Sequence, residues 1–411
     1  MPIVGLDLRP TEENFKAHVG RGTGRYTSEL VKHLRELTRD SASPLQLQGV
    51  GSKDLQITAT EEKLLKALPF GRMTFASQFL FPRRIRRLNL DLIHFFAHGD
   101  APAYATVPQL VTVLDLIPLR FPQLYRAKKS NLRFRFARFL EYQSIKRSKG
   151  VLAISESTKH DLINLLGVEE KKIVVTPLGV GTEFFVEHER QAEKSAALRN
   201  QLGLPQDRPL LLYVGGIDPR KNVPFLVDVF AELLKHSSVN RPILALAGAY
   251  AKDDQYPDLL KKIDLLGLRQ EVRLLGFVPD SDLPLLYRAA DIFLFPSLYE
   301  GFGFPVLEAM ASGLPVIAGR NSSIPEVAGD SALLVQDLLL KEWVDTAKEL
   351  LGNKERQREL GALGKARAKR FAWQRSAERT LDAYRLFIGM KDSGRPLEQA
   401  HRRRGLAPGL S

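Results

Sequence analysis

The sequence predicts an α/β protein made of two consecutive halves, in each of which parallel strands alternate with helices. Three observations carry that reading. Short apolar runs recur along the chain, among them IVGLDL at 3–8, QLVTVL at 109–114, PLLLYVGG at 209–216 and ILALAG at 243–248, most of them followed by helical spacing. Strand and helix patterns in alternation point to a parallel sheet covered by helices. At 411 residues the chain exceeds one ordinary core. After Gly181 it turns polar and charged as far as Pro209, which puts the boundary there. The expected organisation is a Rossmann-like domain over residues 1–183, a second over 207–372, a helix over 373–390 and a disordered basic tail over 391–411.

Composition narrows the function class. A hydrophobic content of 44% is that of a soluble globular protein. The absence of cysteine excludes disulfides, thiolate nucleophiles and cysteine-ligated metals. The start, MPIVGLDLRPTEE, lacks the basic and apolar regions of a signal peptide, and no apolar run reaches the roughly 18 residues a membrane span needs. A cytoplasmic location is expected. Residues 1–183 carry 28 Lys and Arg against 18 Asp and Glu, whereas 184–390 are balanced at 27 against 27, so the net charge of +13 sits mostly on the first half. That half should meet an anionic partner, a phospholipid surface or a lipid-pyrophosphate acceptor. Nucleic acid is not expected, since no recognisable binding module accompanies the charge.

Taken in order, IVGLDL is a buried strand. The loop Gly20-Arg21-Gly22-Thr23-Gly24-Arg25-Tyr26 then leads into the helix TSELVKHLREL. A glycine loop before a helix signals phosphate weakly, because many such loops are simple turns. Residues 41–62 read as a variable strand and loop. FPRRIRRLNLDLIHFF joins four arginines (Arg83, Arg84, Arg86, Arg87) to a strand at 92–96, in which His94 reads as a hydrogen-bonded core residue rather than a ligand. After the strand at 109–114, Asp115 either orients a hydroxyl or caps the next turn. In the basic, aromatic segment 126–149, Leu132, Phe136, Phe139 and Leu140 share one predicted helical face. GVLAISESTKHDLINLLGVEEKKIVVTPLGV gives strand, helix and strand, with Ser155 as the helix cap.

The second half opens on the strand ending at Gly215-Gly216, followed by a turn holding Arg220 and Lys221. Two cations beyond a first strand either neutralise a departing diphosphate or sit as a surface pair. The strands ILALAG and VRLLGFV follow with their helices. Asp280-Ser281-Asp282 matches a metal-binding pattern, but its place before a helix makes capping the expected role. Between Ile292 and Val316 come a short strand, a loop, a helix opening near Pro305 and a further strand. Glu300 lies just past the strand, at the edge where open α/β sheets bind ligands. Gly301-Phe302-Gly303 supplies unshielded N–H groups, and the helix N-terminus aimed at the loop favours a phosphate. Glu308 follows at a spacing of eight, and two carboxylates there can accept from hydroxyls. Phosphates plus many hydroxyls describe a nucleotide-sugar. Two solvated glutamates on one helix would share that spacing, but the intervening glycines and proline break any regular helix.

The segment PSLYEGFGFPVLEAMASGLPVI, with its Glu-x7-Glu pair, resembles the signature of glycosyltransferase family 4, and further matches extend over about residues 1–390. The resemblance implies the GT-B fold, two Rossmann-like domains facing across a cleft, and a retaining transfer that needs no metal or other cofactor. It assigns donor binding to the second domain and acceptor binding to the first. Glu308 would hold the ribose, Glu300 the sugar hydroxyls and the charge at the anomeric carbon, Arg220 and Lys221 the diphosphate, and Gly301 to Gly303 N–H donors. Gly22, Gly24, Arg25 and Tyr26 would border the diphosphate, Phe277 and Val278 the base, and Asp115 the acceptor hydroxyl. Two positions depart from the family: Leu114 stands where many relatives have histidine, and Gly216 where an arginine is frequent. The Pro-Arg-Lys-Asn form at 219–222 resembles bacterial surface-polysaccharide mannosyltransferases, which makes GDP-mannose the leading donor and a glycan or polyprenyl-linked sugar the acceptor. Leu114 keeps a second reading open, a nucleotide-sugar-binding protein that has lost catalysis. A purely basic membrane or polyanion binder is the third, and it leaves the glycine loops unexplained.

Overall fold

A computed structural model of the protein describes residues 1–13, 22–39, 44–55, 76–125, 132–186, 189–235, 241–251, 253–336 and 338–390. The first sheet holds β1 (Ile3–Asp7), β2 (Gln46–Val50), β3 (Leu92–Phe95), β4 (Gln109–Val113), β5 (Gly150–Ala153) and β6 (Ile173–Val175) in the order β2-β1-β3-β4-β5-β6. The second holds β7 (Leu210–Val214), β8 (Ile243–Ala247), β9 (Val272–Gly276), β10 (Ile292–Phe295), β11 (Val316–Gly319) and β12 (Leu333–Val335) in the order β12-β11-β10-β7-β8-β9. Every strand pairing is parallel. Strands covered on both faces must be apolar on both, which is why β8, ILALA, is buried at every position.

The helices follow from their apolar stripes. Gly22–Leu37 buries Tyr26, Leu30, Val31 and Leu34, and Val223–Lys235 buries Leu226, Val227, Phe230, Leu233 and Leu234. The first of these begins at Gly22, not at Thr27 as the glycines suggest, so Gly22 and Gly24 lie in its opening turn; Gly24 is buried. Glu156–Leu166 is capped by Ser155, whose Oγ accepts from the N–H of Thr158, and ends at Gly167 with φ +66°. Leu132–Arg147 departs from the expected face. Leu140 and Ile145 are buried, whereas Leu132 and Phe139 are 74% and 53% exposed, because the packed stripe is set by where the helix meets its sheet.

Part of the stretch between the sheets forms a helix, Glu189–Gln201, which packs on the helix Leu283–Ala289 of the second half. The last helix, Trp373–Ile388, returns to the first half and packs along Gly22–Leu37. Gly150 lets the Phe387 ring close on β5, since a Cβ there would come within 2.3 Å of it. His94 joins the same layer. Its ring nitrogens lie 2.7 Å from Tyr384 Oη and 2.8 Å from Thr112 Oγ1, and Tyr26 Oη stands 3.0 Å from the same threonine oxygen. Burial pushes the His94 imidazole down to about 3, so it is neutral in the core, as expected of a structural histidine. Among the described residues no helix is long and apolar enough to cross a membrane. The tail at 391–411, with its arginine cluster, lies outside the described residues, as do residues 56–75 and Gly20-Arg21.

Candidate active site

In the second sheet β7 is flanked by β8 on one side and β10 on the other, so successive connections leave in opposite directions at this point. A crevice opens beyond strand ends at such a switch, and Arg220, Lys221 and Glu300 lie there. The turn Pro219–Lys221 ends at Asn222 in the left-handed region, φ +56°, which brings the chain back into the helix Val223–Lys235 and leaves Lys221 facing inward. Lys221 Nζ donates to Glu300 Oε1 at 2.6 Å, Ser297 Oγ donates to the same oxygen at 2.6 Å, and Arg220 Nη1 reaches Oε2 at 3.1 Å. Arg220 also donates to the Tyr299 carbonyl at 2.9 Å. Burial works against a charge on Glu300, but Lys221 and Arg220 outweigh it and hold the carboxyl below its usual range. Burial pulls Lys221 down, with Arg220 adding to the effect.

The loop beyond Glu300 turns on Gly303, whose φ of +101° disfavours any side chain and whose Cβ would strike Ile324 at 2.7 Å. The helix Phe304–Ala311 starts one residue earlier than expected, with Pro305 in its first turn and Glu308 opening its second. Glu308 is buried. Its Oε1 accepts from Arg25 Nη1 at 2.5 Å and its Oε2 from the Tyr287 hydroxyl at 3.0 Å, while burial raises its pKa against both partners. The Arg25 guanidinium lies 5.4 Å from the Phe184 ring and 5.9 Å from that of Phe304. Phe302 is core, edge-on to Phe304 and Phe371, so only its backbone can face a ligand.

The first half meets this loop directly. The Leu114 carbonyl lies where a Cβ on Gly301 would come within 2.0 Å of it. Asp115 accepts from the N–H of Ile117 at 3.1 Å, the turn-capping role; burial raises its pKa, and Arg220, Lys221 and Glu300 are close enough to act on it. Ser155 Oγ donates to the Gly301 carbonyl at 2.6 Å, with Thr158 Oγ1 at 3.3 Å from the same oxygen. The Tyr299 hydroxyl donates to Asp161, and the Glu326 carboxylate accepts from the N–H groups of Glu156 at 2.8 Å and Ser157 at 2.6 Å. Sequence reasoning gave Ser155 only its cap and missed Asp161, Tyr287, Ser297 and Tyr299. The spacing Ser155-x-x-Thr158-x-x-Asp161 was the available signal, since residues three apart share a helix face.

The remaining candidates differ in burial and contacts. Gly216 accepts from the Tyr213 hydroxyl at 2.5 Å, Val278 is buried, and Phe277 is 64% exposed and thus open to stacking. Gly22 has open space where a Cβ would stand. Asp282 takes the N-cap position of Leu283–Ala289, although its side chain accepts no capping hydrogen bond. Among the described residues no three His, Cys, Asp or Glu side chains converge as a metal site.

The model of the glycosyltransferase family 4 matches residues 20–184, and that of the glycosyl transferases group 1 matches residues 194–367. The chain is 30% identical over 386 residues to O-antigen chain mannosyltransferase B of Escherichia coli, covering 89% of this chain and 96% of that protein. It is 34% identical over 259 residues to a D-inositol 3-phosphate glycosyltransferase of Kineococcus radiotolerans, 60% of this chain and 59% of that one. The fold is similar to that of sucrose-phosphate synthase from Thermosynechococcus elongatus, with a TM-score of 0.70 at 20% identity over 95% of this chain and 100% of the other. WaaG, a glycosyltransferase involved in lipopolysaccharide biosynthesis, gives a TM-score of 0.67 at 17% identity over 92% and 98%.

Proposed function

The chain belongs to glycosyltransferase family 4, with the GT-B architecture, and from that premise we propose that it moves mannose from GDP-mannose to a sugar hydroxyl of a glycan or polyprenyl-pyrophosphate-linked acceptor. The observation that carries the reading is the buried cluster of Glu300, Lys221 and Arg220 at the switch of the second sheet, with Asp115 of the first half facing it. The similarity to mannosyltransferase B supports the sugar and a role in surface-polysaccharide assembly.

The transfer proceeds with retention and without a metal. On a front-side path the departing phosphate takes the acceptor proton, so the protein contributes position and electrostatics rather than a strong base. Arg220 and Lys221 bear the charge gathering on the diphosphate, and Glu300, released from them, meets the sugar. Glu308 takes the ribose hydroxyls, the loop amides of 301–303 donate to phosphate, and Asp115 orients the acceptor. Incubation with GDP- and UDP-sugars and a set of sugar acceptors, with EDTA present, tests this: release of GDP only when both donor and acceptor are supplied is expected. Stabilisation by a donor without turnover would instead favour the binding protein that Leu114 motivates, and no donor effect would undo the reading.

The basic first half further docks on anionic membrane, as a peripheral protein of the inner face, through Arg83 to Arg87 and the exposed Leu132 and Phe139. Flotation with anionic but not neutral vesicles is expected; equal recovery with both would exclude it.

A further inference from the structure

The mechanism above uses Glu300 and the amides that follow it. The second half holds the Glu300 backbone through Ser322 and Ser323 and the Tyr299 carbonyl through Arg220, whereas the Tyr299 hydroxyl and the Gly301 carbonyl on either side of Glu300 are held from the first half. Three contacts from one helix of the first half and its cap make that second attachment. Ser155, Thr158 and Asp161 rise at intervals of three along the helix Glu156–Leu166 and reach the Gly301 carbonyl and the Tyr299 hydroxyl. These flank Glu300 on both sides. From the second half Glu326 returns the contact, its carboxylate accepting from the first two amides of the same helix. A helix leaves its first N–H groups without internal partners, and here the carboxylate of the other half satisfies two of them. The Glu326 backbone is fixed in turn, since Arg367 Nη2 donates to its carbonyl at 2.7 Å.

We propose that Ser155, Asp161 and Glu326 are positioning residues for the transfer: they hold the Tyr299–Gly301 segment, and with it Glu300, at the height from which the carboxylate and loop amides can meet a sugar-nucleotide. The inference rests on the proposed reaction for its catalytic readout alone. The contacts involve none of Lys221, Arg220 and Glu308, the side chains assigned to the diphosphate and the ribose, so their loss falls on the reacting geometry more than on the affinity for the nucleotide. A displacement of about 1 Å at a reacting centre costs up to about a hundredfold in rate.

Tyr299→Phe, Glu326→Ala, Ser155→Ala and the hydroxyl-retaining Ser155→Thr decide it. Turnover of GDP-mannose in the first three should fall by about ten- to a hundredfold while the donor KM moves by less than about threefold. Ser155→Thr should recover most of the rate. Amide exchange in residues 299–303 should quicken by about tenfold in the same three variants, including Glu326→Ala, whose side chain touches none of those amides. Unchanged kcat and exchange, or a loss confined to KM, would overturn the proposal. Should wild type turn over no sugar-nucleotide, the proposed reaction falls, and exchange alone then decides whether these residues hold the loop: quickened exchange sustains that role and unchanged exchange ends it.

Discussion

Gly301 shows how much of the site hangs on single atoms. The Leu114 carbonyl sits 2.0 Å from where its Cβ would be, and backbone cannot yield as a flexible side chain can. Gly301→Ala should therefore push the two halves apart at the loop, lowering kcat by at least about tenfold while each half stays folded; circular dichroism and steady-state kinetics together check this, and a normal kcat would deny the close approach any role. Lys221 is the complementary case, a charge rather than a space. With its ammonium 2.6 Å from Glu300, Lys221→Ala removes a cation from the place where diphosphate charge should gather. Turnover should fall by about a hundredfold, the scale of losing one oxyanion donor, and near-normal turnover would remove Lys221 from the site. That Glu300 and Lys221 lie in irregular chain beyond strand ends was legible in the sequence because glycines and prolines around them break regular structure, whereas Glu308 sits inside a regular helix. The partners Arg25 finds were not legible, since an ion pair across 283 residues leaves no local pattern.

Among elements, the last helix is the one whose place decides most, because it carries Tyr384 to His94 in the first half. Tyr384→Phe keeps the ring and deletes the hydroxyl, leaving a buried ring nitrogen without that partner. A loss of about 1–3 kcal/mol is expected, read as a lower denaturation midpoint at constant slope; an unchanged midpoint would mean that the bond contributes nothing. The strands were readable because burial on both faces makes them continuous apolar runs. The helix Gly22–Leu37 was started too late for the opposite reason: glycines in a first turn look like a loop, although here Gly24 is buried and Gly22 faces open space. Leu132 and Phe139 were put on one face with Leu140 by spacing, yet spacing says which residues share a side and not which of them meets the sheet.

For the whole molecule the decisive interface is the one between halves, and Glu326 makes it sensitive to pH. Burial raises its carboxyl to about 7; the amides of Ser157 and Glu156 oppose the rise, and the Glu156 carboxylate adds to it. Lys159 lies on the same helix but pairs with Glu170 at 2.7 Å and, more distantly, with Glu156. Because the folded value lies above the ordinary 4.5, the protonated form is the one the closed interface prefers. Its contribution is complete below about pH 4.5 and is lost as pH rises through about 7. Glu326→Gln removes the titration but keeps only one of the two acceptor oxygens that meet the amides of Glu156 and Ser157, so it carries a constant offset in stability. Relative to that offset the wild type should lose on the order of 1–2 kcal/mol against the variant between pH 5 and pH 8, or a few degrees in a chain this long. Neutral His94 imposes the opposite slope below pH 6.5 on both proteins, so the difference between the two melting curves isolates Glu326. A difference that stays flat from pH 5 to 8 would mean that the Glu326 carboxyl keeps its ordinary value, and with it that water reaches the contact between the halves.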